Sequence, residues 1–110
     1  MGEQTFILRV LFIKIGELWA AQCVDYDFAA QGASVREAKR AFEKTVIGQI
    51  LFDLKRGERP LSGFKPAPES YREKFEESEQ LADRTPLELP EGTPPAFIIN
   101  QILKDLRVWR

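Results

Sequence analysis

The sequence predicts a single α+β domain, with a three-stranded antiparallel sheet, one long helix packed across it, a short acidic helix and a C-terminal helix. Three observations carry that prediction. Residues 5–15 are an almost unbroken apolar run ended by Gly16-Glu17, after which 18–24 returns as a second apolar segment. Ser34 and Glu37 have the spacing of a capping box, in which each side chain takes an orphan backbone N–H at a helix start. From there Val35, Ala38, Phe42, Thr45 and Val46 recur at three- and four-residue steps, with Arg36, Glu37, Lys39, Arg40, Glu43 and Lys44 on the opposite arc.

The first strand, 5–15, puts Phe6, Leu8, Val10 and Phe12 on one face and Ile7, Leu11, Ile13 and Ile15 on the other, interrupted only by Arg9. A strand apolar on both faces is covered on both. The long helix covers one, and either the C-terminal segment or another subunit covers the second. Gly16-Glu17 is a tight turn. Strand 18–24 carries small Ala20 and Ala21, which leave room for a helix, and 27–31 is a shorter third strand. Gly32, just before the capping box, suits a reversal at positive φ.

The long helix runs over 34–55, and beyond Val46 its apolar residues Ile47, Ile50, Leu51, Phe52 and Leu54 point nearly all round. A glycine- and proline-rich loop, 57–68, ends it. A short acidic helix follows, opened by a second capping box at Ser70 and Glu73, with a stripe of Tyr71, Phe75, Leu81 and Ala82. Residues 85–95 hold four prolines and Gly92, too many for regular structure. Thr93-Pro94-Pro95 then suits a helix opening. Ile98, Ile99, Ile102, Leu103, Leu106 and Trp109 follow at helical spacing, whereas a strand there would mix polar and apolar residues on both faces. The chain thus divides into a core at 1–56, a loop and short helix at 57–95 and a C-terminal helix at 96–110, all one domain.

Composition narrows the function. Apolar residues make up 44% of the 110 and aromatics 11%, enough for a real core. The net charge is −1, with eight basic and seven acidic residues through Arg56 and eight and ten after it. That balance gives no domain-wide positive field, and direct nucleic-acid binding is not expected. Neither a membrane-length apolar run nor the pattern of a signal peptide is visible, so a cytoplasmic protein is expected. The single cysteine, Cys23, forms no intrachain disulfide, and the chain has no histidine to activate it, so it reads as a small buried hydrophobe. Asp25 and Asp27, with Glu17 or Glu37, have the residue types of a two-cation site. The stronger reading is a charged strand edge that resists edge-to-edge pairing. No catalytic residue, metal ligand or cofactor is assigned.

The pattern Gly16-x-x-Trp19-Ala20, with Cys23, then Ala30-Gln31-Gly32-x-Ser34-x-x-Glu37-Ala38, resembles the HicB family, the antitoxin half of a bacterial and archaeal toxin–antitoxin system. The similarity covers about half of the chain. It implies a partial RNase H-like fold, a three-stranded meander crossed by a long helix, and a protein that binds and occludes a small RNA-cleaving toxin. The chain departs from the pattern in two places. Cys23-Val24-Asp25-Tyr26-Asp27 stands where many members carry Pro-Asp-Leu-Pro-Gly, and no paired helices with a basic face follow Lys55, so DNA binding does not carry over. The alternative is an orphan relative acting as an oligomeric structural or adaptor module without a toxin.

A protein partner would meet Trp19, Tyr26 and Phe28 if they form an exposed aromatic patch; aromatic residues of a small sheet otherwise belong to its core. Ile47, Leu51 and Phe52 with Ile99, Leu103, Leu106 and Trp109 either cover one another or form a subunit interface. A homo-oligomer is expected, because one chain of this size has few surfaces to hide both sets.

Overall fold

The computed structural model describes residues 4–81, 85–87 and 99–109. Strand β1 (Gln4–Ile15) turns at Gly16-Glu17 into β2 (Leu18–Cys23), and β3 (Ala29–Gly32) follows after a bend. Gly16 adopts φ 63°, the left-handed conformation a two-residue hairpin turn requires. Helix α1 (Val35–Lys55) comes next, then α2 (Glu69–Glu77), two short strands β4 (Glu79–Gln80) and β5 (Thr85–Pro86), and β6 (Ile99–Val108).

The fold is α+β with a mixed sheet. Its order is β3-β2-β1-β6-β4, and β5 also pairs with β6. The predicted three-stranded antiparallel sheet is the β3-β2-β1 part of a larger one. The chain continues the sheet with β6, which lies parallel to β1 from Thr5↔Gln101 to Phe12↔Val108. The expected C-terminal helix is therefore a strand. Two facts explain why its mixed pattern tolerates this. Lys104 is paired with Glu43 of α1, and on the opposite face the buried Asp105 carboxylate lies 3.7 Å from the Arg107 guanidinium. The Thr93 cap expected to open that helix lies outside the described residues, as do Ala82 and most of the 85–95 tether. Within that tether Thr85 and Pro86 stand opposite Lys104 and Leu103, and Leu87 is buried.

Alternation gives the sheet two covered faces. Leu8, Val10 and Phe12 of β1, Ala21 and Cys23 of β2, and Leu106 and Val108 of β6 meet Ala38, Phe42, Val46, Ile50 and Leu54 of α1. On the other face Leu11 and Val24 meet Phe75 of α2, with Ile13, Tyr71 and Trp109 half-buried around them.

The α1 start keeps the forward half of its capping box, while the return bond reaches one residue further back than the box predicts, to Ala33 instead of the Ser34 cap itself. Ser34 Oγ accepts the Glu37 backbone N–H at 3.1 Å, while the Glu37 carboxylate accepts that of Ala33 at 3.0 Å. Gly32 is needed for a reason other than positive φ. A Cβ there would lie 2.4 Å from the Ala38 backbone N and 2.6 Å from the Glu37 carbonyl carbon, so the strand passes too close to the first helical turn for any side chain. The second box does not form: α2 begins after Pro68 with no side-chain cap, which leaves Ser70 inside the helix. No helix among the described residues is long and apolar enough to cross a membrane.

Candidate partner-binding surface

The hairpin end of β1 and β2 leaves apolar side chains in water. Ile15 and Leu18 are register partners, 55% and 44% exposed. Alternation along β1 puts Ile15 on the face of Leu11 and Ile13, where α2 packs. Helix α2 shields Leu11 and Val24 with Phe75, but Ile15 and Leu18 at the end of the hairpin stay about half exposed. Half-buried Ile13 and Trp109 connect the covered part of that face to the bare part. On the other side of the hairpin Trp19, opposite Lys14, is half-buried against the α1-side core.

The remaining aromatics anticipated as a patch are also partly withdrawn. The Phe28 ring stacks on Phe42 at 5.1 Å and 8°, with Phe64 tilted against it at 5.5 Å. Tyr26 is half-buried at the same core, and burial pushes its phenol above the ordinary value.

The acidic residues of this corner do not converge. The Asp25 carboxylate accepts the Arg9 backbone N–H at 3.1 Å and the Arg9 guanidinium at 2.7 Å, tying the bend after β2 onto β1. Asp27 instead accepts the Gln22 amide at 3.1 Å, and Glu37 is held at the helix cap. Among the described residues no three His, Cys, Asp or Glu side chains gather as a metal-holding group. Cys23 is fully buried, and burial pushes its thiol up to about 11.

No family model, curated protein or solved structure matches the chain.

The residues anticipated as an oligomer interface fall on different surfaces. Leu106 is buried beneath α1, whereas Trp109 points to the α2 side, its backbone N–H donating to the Phe12 carbonyl at 2.9 Å. Ile47 and Leu51 are half-buried; Phe52 is 52% exposed with the Arg56 guanidinium 5.3 Å from its ring centre. Leu103 stands opposite Ile7 in the β1–β6 register, and its side chain lies outside the described residues.

Ile47 lines a cavity of about 260 Å³ with Glu43, Pro86, Leu87 and Lys104. Lys104 is only 5% exposed, and its ammonium donates to Glu43. Burial alone would raise the Glu43 carboxyl, but the ammonium groups of Lys104 and Lys39 outweigh it and hold the carboxyl below its ordinary value. Ile15 and Leu18 are not legible as surface residues in the sequence, where they belong to apolar runs expected to be covered. Their signal was position: they flank a glycine turn, where a sheet runs out of cover.

Proposed function

We propose that this chain is a HicB-like antitoxin or inhibitor, which occludes a small RNA-cleaving toxin without catalysing a reaction itself. The observation that carries the reading is the β3-β2-β1 meander crossed by α1, with its Ser34–Glu37 cap, in the order the resemblance implies. The uncovered Ile15 and Leu18 support a protein partner, since an apolar pair beside a half-buried tryptophan favours burial against another chain. Co-expression with the neighbouring reading frame tests it. A stable complex with a small basic protein whose RNA cleavage the chain suppresses is the expected result. Ile15→Asp with Leu18→Asp should weaken that complex while leaving the fold intact. Absence of any complex, with no toxic neighbour, would sink the reading.

The second reading, an orphan HicB-fold adaptor, is favoured by one observation. Where the family carries its proline- and glycine-containing loop, Asp25 is locked onto Arg9 by three N–H groups, a differently built corner. The same co-expression separates the two, because an adaptor retains partners but suppresses no cleavage.

A further inference from the structure

The exposed sides of the two helices carry matched rows of opposite charge. On α1, Arg36, Arg40 and Lys44 are all exposed and follow one another at four-residue steps. Each step advances ~6 Å, so the row is ~12 Å long. None of the three has an ion pair among the described residues; the neighbouring Lys39 is the one held by Glu43, and Glu37 is occupied at the cap. Like charges one turn apart disfavour a helix in isolation, so the row does not serve α1 itself.

On α2, Glu69, Glu73 and Glu77 are exposed at the same four-residue steps, with Glu76 beside them. Glu69 makes a loose contact to Arg72 at 3.7 Å, and Glu73 and Glu77 have no partner among the described residues. The basic residues of α2 are half-buried and flank that row: Lys74 lies 5.8 Å from the Tyr71 ring centre, and Arg72 is the residue in contact with Glu69. The outer side of α2 is thus acidic along the same ~12 Å over which that of α1 is basic.

The two rows cannot meet within one chain, because α1 and α2 pack on opposite faces of the sheet. We infer that the α1 row of one copy docks on the α2 row of a second copy, a head-to-tail association driven by charge. The occupant is a second copy because the complementary row, with the same spacing and length, is already present on this chain. Contacts between opposite faces are heterologous, so they propagate into open or ring-shaped oligomers instead of closing as a two-fold dimer. Exposed charges are screened by salt, with a screening length of ~30 Å at ~0.01 M and ~3 Å at ~1 M, so the association belongs to low salt.

Sedimentation velocity of the full chain tests this. At about 0.01 M salt the weight-average mass should rise about two-fold or more above the monomer's as concentration increases, and should return to the monomer's at about 1 M. The triple variants Arg36→Glu/Arg40→Glu/Lys44→Glu and Glu69→Lys/Glu73→Lys/Glu77→Lys should each stay monomeric at low salt, since both faces then carry one sign. Mixed in equal amounts they should associate again, and circular dichroism of each variant alone confirms that the fold is kept. A wild type that is monomeric at low salt overturns the proposal. So does a mixture that fails to associate, or a wild type whose self-association survives either reversal. A monomeric wild type that binds a single-stranded oligonucleotide through the α1 row would assign that row to nucleic acid instead.

Discussion

Asp53 holds Leu61 in a conformation that leucine rarely adopts. The Asp53 carboxylate accepts the Leu61 backbone N–H at 2.7 Å, with Leu61 at φ 64° and 1% exposed. A left-handed backbone costs a side-chain-bearing residue ~1–2 kcal/mol. Here the charged hydrogen bond and burial of the leucine offset that cost. The other carboxylate oxygen accepts the Gln49 amide at 3.0 Å, so Asp53, itself 6% exposed, knits the end of α1 to the following loop. Asp53→Ala should lower stability in urea unfolding by about 2 kcal/mol, the scale of a lost buried charged hydrogen bond. Asp53→Asn, which keeps an acceptor for Leu61, should lose less.

Two glycines should respond to alanine with opposite signs. At Gly32 the added methyl would meet backbone atoms of Glu37 and Ala38 inside 3.0 Å, and those atoms cannot move without opening the first turn of α1. Gly32→Ala should therefore cost about 2–3 kcal/mol. Gly48 lies within α1, exposed, with nothing near its would-be Cβ. Gly48→Ala should stabilise by up to about 1 kcal/mol, the helix propensity difference. Thermal and urea unfolding of both variants check the pair.

Glu43 and Lys104 should depend on each other unequally. Removing the carboxylate in Glu43→Gln strands an ammonium that is 5% exposed and should cost about 3 kcal/mol. Lys104→Met removes the buried charge altogether, leaves Glu43 its contact with Lys39, and should stay within about 1 kcal/mol of wild type. The pH dependence follows from the lowered Glu43 carboxyl. A folded value below the unfolded one contributes stability above the ordinary carboxylate value of ~4.3, and that contribution is lost as pH falls through the folded value. Stability measured across acid pH should fall more gently in Glu43→Gln than in wild type.

Cys23 should be chemically silent until the chain opens. With no exposed surface and a thiol pushed up to about 11, it presents neither access nor thiolate. A thiol reagent at about pH 8 should modify it only in denaturant. Because its folded value lies above the unfolded one, the stability it contributes is full below the unfolded thiol's value and is lost as pH rises through the folded value. Rapid labelling of the native chain would contradict the burial on which the α1-side core depends.

Much of the N-terminal half was legible in order and in detail. Gly16 marked a turn, the two-faced apolar run marked a strand covered on both faces, and Ser34 with Glu37 marked the helix start; each rests on neighbours a few residues away. The site was less legible. Phe28 fits either an exposed patch or the core until Phe42 and Phe64 are placed against it, and Leu106 fits either a subunit interface or intrachain cover until α1 is laid over it.

Local spacing determined the hairpin, the cap and α1, because turns, caps and amphipathic faces are decided by residues within about two helical turns of one another. Tertiary structure alone decided the fate of 99–108. Its apolar residues recur at three- and four-residue steps, as in a helix, yet the segment pairs with β1, a partner almost the whole chain away. The open edge of an apolar central strand offers backbone hydrogen bonds and two covered faces, while Glu43 neutralises the one charge that would otherwise oppose burial under α1. Neither the open edge nor the counter-charge is visible from within the segment itself.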